Sequence, residues 1–326
     1  MKRINSIDYL RVISAIGVVA IHALTSPVTN SFHPVEYWLE EFLDIMHVCF
    51  MWSVPQFFMI TGFCQALKEE CSYEYCLKKA IKYIVVLFTF GLTFALIEEI
   101  YTNHIFNLET ILVAIKNVIS GKLWNHMWFI YSLIGIYLVL PALYTFMKDM
   151  KNAQIFVTIL FIFTILIPFL NQYQKIGIDF PMGGYLFYVC FGMLVSKLEI
   201  PKKISNYALV MSFVLTILLI FYSRSHSVTY KNLIICLISI GIFTFFSQLN
   251  LKDNKIISLL AESSFAIYLL HPLFINIAIK ILHIDFLSGL FPWILIKLLL
   301  LLIIVTILSL ISSLIFRKIP FLKSII

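Results

Sequence analysis

Apolar residues run along this chain in long blocks separated by short polar connections. A membrane-crossing helix needs about 20 mostly apolar residues. Ten blocks meet that need, at 7–25, 42–67, 80–100, 126–147, 153–170, 181–197, 206–222, 231–248, 259–282 and 290–316. The pattern predicts an all-α, polytopic transmembrane helix bundle of about ten spans. It is expected to form a single membrane domain over 1–326, with no fused soluble domain. Lys2 and Arg3 precede the first block as in a signal peptide, but Arg11 interrupts the apolar run. The block is therefore expected to be a retained span.

The polar positions inside the blocks carry the candidate chemistry. Arg11 and His22 share the first block. Eleven residues apart on one helix, they lie ~16 Å apart along the axis and within ~20° of the same face. A fixed cation and a titratable imidazole on one stripe are both costly in lipid, so the stripe should face protein or a water-filled cavity. The second block contains Pro55, which is expected to bend its helix. It also holds Gln56 and Thr61 at membrane depth and Gly62, which permits close helix approach. The fourth opens with His126 and Trp128, which read either as interfacial residues or as part of a site. The ninth places His271 at depth beside Pro272. Glu98 and Glu99 close the third block and are expected to be solvated.

Composition agrees with the pattern. Hydrophobic residues make up 61% of the chain and charged ones 13%, with a mean hydropathy of +0.97. A soluble domain averages about 25% charged residues, so the lipid bilayer is the expected partner. The net charge of +7 does not indicate nucleic acid, because the basic residues are dealt out between the spans. Sixteen of them fall in one alternating set of connections, from Lys2 and Arg3 to Lys323, and six in the other. By the positive-inside rule both termini are expected to be cytoplasmic. The first outer loop then carries Glu36, Glu40 and Glu41 with no Lys or Arg. The densest basic cluster is Lys78, Lys79 and Lys82, which share a side if helical. It reads either as a membrane anchor or as a socket for a phosphorylated ligand.

Six cysteines are present, Cys49, Cys64, Cys71, Cys76, Cys190 and Cys236. Cys71 and Cys76 have no second pair with zinc-ligand spacing, so no metal is expected and the thiols read as small apolar fillers.

Several stretches, in order and spanning nearly the whole chain, resemble the acyltransferase 3 family of bacterial membrane acyltransferases. Ile7-Asp8-Tyr9-Leu10-Arg11 with His22 is similar to the family's arginine, ten residues, then histidine. Val54-Pro55-Gln56-Phe57-Phe58 through Thr61-Gly62-Phe63 resembles its Pro-x-Phe-Phe-x-x-Ser-Gly-Phe element, with Thr61 in place of serine. His126-Met127-Trp128-Phe129-Ile130-Tyr131 is similar to its His-Leu-Trp-Phe helix, and Ile267-Tyr268-Leu269-Leu270-His271-Pro272 to its Ile-Tyr-Leu-x-His-Pro signature. Lys79-x-x-Lys82 stands where Arg-x-x-Arg is common; lysine keeps the charge and loses the bidentate phosphate geometry.

The resemblance implies transfer of an acyl group, most often acetyl, from cytoplasmic acyl-CoA to a hydroxyl on an extracytoplasmic cell-envelope glycan. The implied setting is the bacterial cytoplasmic membrane. Arg11, with Lys78, Lys79 and Lys82, would hold the anionic nucleotide end of acetyl-CoA. His22 and Arg11 would be the catalytic residues, His22 as general base or as an acyl-carrying nucleophile. Thr61, Gln56, His126, Trp128, Tyr131, Tyr268 and His271 are the expected substrate contacts. Two other readings stand beside this one. One is a polysaccharide or small-molecule transporter without acyl transfer. The other is a module related to the membrane part of vancomycin-resistance serine racemases, linked to substrate uptake. Oligomeric state is not readable from the sequence.

Overall fold

The computed structural model describes residues 3–174, 184–224, 226 and 228–326. Lys2, Lys175 and residues 181–183 of the sixth expected span lie outside them. All regular structure among the described residues is helical. Two compact units make up the chain, Met1–Glu69 with Phe146–Leu310, and Glu70–Thr145 with Ile311–Ile326.

The first unit opens with α1 (Asn5–Thr29), α2 (Tyr37–Phe50) and α3 (Ser53–Ala66). The second expected span is thus two helices, broken at Met51–Trp52. Its cause is local: Pro55 has no N–H for the carbonyl of Met51, and its ring clashes with that carbonyl in a continuous helix. Pro55 therefore sits in the first turn of α3, where a missing N–H costs little.

After the second unit the chain returns with α8 (Met150–Phe161), a π-helical turn (Ile162–Leu166), α9 (Ile167–Gln174), α10 (Tyr185–Val195), α11 (Lys202–Ser223) and α12 (Leu233–Ser247). Then come α13 (Lys255–Asn276), a second π-helical turn (Ile277–Ile281) and α14 (Phe291–Phe316). The first unit packs α1 against α2, α3 and α13, α3 against α10, and α11 against α12. Val19 and Ala23 of α1, Leu39 and Leu43 of α2, Ile267 and Ile275 of α13 and Leu298 and Leu301 of α14 form one buried apolar cluster. Outward faces of α11 and α14 are apolar too, with Val210, Phe213, Ile217, Leu299, Ile303 and Ile307 exposed, as lipid contact requires.

Glycines set the closest approach. A Cβ on Gly62 would lie 1.9 Å from the carbonyl oxygen of Val189, and one on Gly192 would lie 2.0 Å from that of Met59. Each backbone of the α3/α10 pair thus occupies the space a side chain would need on the other.

In the second unit, α4 (Tyr73–Val86) runs through a π-helical turn (Leu87–Gly91) into α5 (Leu92–Asn103), followed by α6 (Leu108–Ser120) and most of α7 (Trp128–Phe146). The end of α14 and α15 (Pro320–Ile325) complete it. No span is expected at α6, which is too short and too amphipathic to cross a bilayer. Asn107 and Thr110 cap its start reciprocally, and Thr110, Ala114 and Val118 bury one stripe of it. Glu98 and Glu99 are not simply solvated: Trp124 Nε1 donates to Glu98 at 3.0 Å and Asn117 Nδ2 to Glu99 at 3.0 Å.

Among the described residues, each of the ten expected blocks contains helix. Eight described helices are long and apolar enough to cross a membrane, counting α2–α3, α4–α5, α8–α9 and α13 with its π turn as continuous elements. The shorter α10 and α12 fall in the sixth and eighth blocks. The protein is a multi-pass membrane protein.

Candidate active site

The continuous α1 carries both Arg11 and His22, about 16 Å apart along its axis. At the Arg11 end the structure builds an ion-pair chain. Arg11 Nη1 donates to Asp8 Oδ1 at 3.0 Å, one turn away on the same face. Arg3 Nε donates to the other oxygen of Asp8. Arg3 then reaches α13, its Nη1 donating to Glu262 Oε1 at 2.8 Å and its Nη2 to the Ser258 carbonyl at 2.9 Å. The hydrogen bond to Asp8 is the main cause holding the Arg3 pKa above its ordinary value; burial, the next largest influence, works against it, and Glu262 adds to the rise.

At the other end, His22 faces His271 of α13, ring centroids 5.0 Å apart and tilted by 46°. His271 is fully buried. Its Nδ1 lies 3.0 Å from the carbonyl oxygen of Ile267. A carbonyl only accepts, so Nδ1 carries the hydrogen and the lone pair of a neutral ring is on Nε2. Tyr268, one turn earlier on α13, brings its ring to 6.3 Å from that of His271. His47 of α2 is close enough to His22 to interact with it electrostatically. Two imidazoles from two helices thus meet towards one end of α1, with His47 of α2 acting on His22 through space.

The two polar candidates of α3 differ in their partners. Gln56 is fully buried and donates through Nε2 to the Ser239 carbonyl of α12 at 3.1 Å. Thr61 donates its hydroxyl back to Phe57 at 2.8 Å, within its own helix.

A family model described as an acyltransferase domain, that of acyltransferase 3, matches residues 4–318. The chain belongs to the acyltransferase 3 family. It is also similar to a protein of Enterococcus faecalis named amino-acid racemase, 26% identical over 300 residues, which cover 84% of this chain and 41% of that protein. The chain thus spans about two fifths of that relative. No solved structure matches.

The family's remaining expected positions lie in the second unit. His126 is buried, its ring 5.9 Å from Phe94 and 6.5 Å from Trp124, so it is not a solvated interfacial residue. Trp128 opens α7 against Phe129, with ring centroids 6.1 Å apart. Tyr131 donates its hydroxyl to the carbonyl of Val118 on α6. The three lysines of α4 each have a separate partner. Lys78 pairs with Glu74 at 2.6 Å, Lys79 lies 5.8 Å from the centre of the Tyr75 ring, and Lys82 is 3.4 Å from a main-chain oxygen of Ile326.

Sequence reasoning missed His47 and the part played by Arg3. A signal for His47 was present: Glu40, Asp44 and His47 recur at i, i+4 and i+7, with Glu41 beside the first of them, a polar stripe in a largely apolar helix. Among the described residues no group of His, Cys, Asp or Glu has the arrangement to hold a metal ion. Cys71 and Cys76 are free thiols with sulfurs 3.4 Å apart.

Proposed function

We propose that this family member transfers an acyl group, acetyl in the first instance, from acyl-CoA to a hydroxyl of an extracytoplasmic cell-envelope glycan or related acceptor at the bacterial cytoplasmic membrane. The observation that supports this reading best is the His22–His271 pair. In its Nδ1–H form His271 can accept a hydrogen bond from one nitrogen of His22, leaving the other nitrogen of His22 as a base. A base held by an orienting group is the logic of nucleophile activation in acyl transfer generally. His22 takes the hydroxyl proton as the acceptor oxygen attacks the thioester carbonyl. The tetrahedral intermediate collapses, the carbon–sulfur bond breaks, and the CoA thiolate recovers the proton. In the two-step variant His22 attacks first, and the acyl-imidazole is then taken by the acceptor.

The anionic nucleotide end of the donor calls for cations. Arg11 offers several N–H groups, of which Asp8 takes one, and its side chain is 28% exposed. Lys78, Lys79 and Lys82 remain the other expected contacts. The relative's name, a racemase, does not speak for acyl transfer, and transport of a polysaccharide or small molecule without acyl transfer is the second reading.

The test uses the protein in lipid nanodiscs with radiolabelled acetyl-CoA and added envelope glycan. Wild type is expected to release CoA and label the glycan. His22→Ala is expected to slow this at least ~100-fold, the usual worth of a general base, without lowering the melting temperature. Label retained on the protein would favour the two-step route. Absence of turnover by wild type with acetyl-CoA and with longer acyl-CoA would move the assignment to transport.

A further inference from the structure

The end of α13, its π-helical turn and α14 enclose a cavity of about 300 Å³, with Phe274, Ala278, Leu301, Val305 and Leu308 in its wall. Every residue of the lining is apolar except Lys297. Leu300 and Ile304, also in the wall, are half exposed on the outward face of α14, so the cavity opens towards lipid. Its length follows from the helix. From Lys297 to Leu308 the wall runs about 16 Å along α14. One leaflet contributes about 15 Å of a hydrocarbon core about 30 Å thick. Lys297 lies in the first half of the 26-residue α14, towards the nearer membrane surface. The space thus runs from near that surface to the middle of the bilayer. Its volume spread over this length makes a channel one hydrocarbon chain wide.

We propose that this cavity holds one acyl chain of a phospholipid whose headgroup, of net negative charge, sits on Lys297. The site stands apart from the acyl-transfer reading. Its apolar walls give water no hydrogen-bond partner, so a hydrocarbon chain is the filler they suit. Lys297 decides the class of lipid. Its Nζ donates to the Asp285 and Ser288 carbonyl oxygens at 2.8 and 2.7 Å and to the Ser288 hydroxyl at 3.0 Å. An ammonium has three N–H groups, and here all three meet neutral oxygens. The Asp285 carboxylate accepts from the Leu287 N–H instead. Among the described residues Lys297 belongs to no ion pair. A cation at membrane depth normally pairs with an opposite charge. The walls supply none, which leaves that part to the ligand. A phosphate oxygen can take the place of the Ser288 hydroxyl on Nζ. A zwitterionic lipid brings its own cation beside the phosphate, so a net negative headgroup gains more from Lys297.

The test is native mass spectrometry of the full chain in detergent. It is titrated with dioleoyl phosphatidylglycerol or dioleoyl phosphatidylcholine, which share their chains and differ in net charge. One phosphatidylglycerol is expected to bind about fivefold more tightly, the worth of one lysine beside an anionic headgroup. Lys297→Gln should abolish that preference and Lys297→Arg should keep it. Ala278→Leu, which adds carbons inside the cavity, should weaken both lipids alike. Leu299→Ala, on the outward face and outside the lining, should weaken neither. The headgroup without chains, glycerophosphoglycerol, should form no adduct. Melting temperatures are read alongside, and where a variant melts early the wild-type comparison of the two lipids decides alone. Equal affinity of wild type for the two lipids would overturn the proposal. So would a preference that survives Lys297→Gln, or lipid binding untouched by Ala278→Leu.

Discussion

In its first turn α1 holds a carboxylate between two guanidinium groups, and about four turns later the same helix faces imidazole with imidazole. At the first end Arg3, Asp8, Arg11 and Glu262 each have an opposite partner, and the chain of pairs straps α1 to α13 through Glu262 and Ser258. At the second end the polar groups can be neutral, so they can lie within the bundle without a counter-ion. One site of polarity is held in opposite-sign pairs that strap helices together, with N–H groups of Arg11 left over for an anion. The other is left with proton-accepting capacity, which is what chemistry needs.

This contrast can be sharpened by altering one end at a time. His271→Gln should have the largest effect, slowing acyl transfer about 10- to 100-fold through misplacement of His22. Its thermal unfolding in detergent should barely change, and a matching fall in melting temperature would make the pair structural like the other end. Asp8→Asn should do the opposite. Its side chain is only 8% exposed and serves two cations. The loss should therefore cost about 2 kcal/mol of stability, with transfer by the folded fraction much less affected. Smallest of all should be Glu262→Gln, because both partners of the Arg3–Glu262 pair are substantially exposed; such pairs contribute about 0–1 kcal/mol. A melting shift as large as that of Asp8→Asn would mean that the strap to α13, rather than the carboxylate itself, holds the first end.

The spans were legible because lipid forces a long apolar run wherever a helix crosses it. The Arg11–His22 stripe was legible for a related reason, since helical spacing on one continuous element fixes which residues share a face. The His22–His271 meeting was not, because 249 positions separate the two residues and spacing says nothing about which distant helices pack together. Pro55 marked where a disturbance would come, but its missing N–H and ring clash are relieved by a bend or by a break alike, and spacing does not choose between them. The amphipathic α6 was missed because only part of its surface is apolar and its length falls short of a span. His47 was in plain view as the end of a polar stripe. A search for lone buried polar residues passes over such a stripe, because its members excuse one another as a solvated face.

The reciprocal glycines of α3 and α10 constrain how the sequence can change. An Ala at either position forces a clash with main chain, for which about 1–3 kcal/mol is expected. Either clash is relieved by the same movement, a separation of the two helices. Once Gly62→Ala has pushed them apart, Gly192 no longer touches Met59, and Gly192→Ala then adds little. The double variant should therefore melt closer to the worse single variant than to the sum of the two. The two sites behave as one: the loss falls almost entirely on whichever substitution comes first, and restoring a single glycine regains little until the other returns.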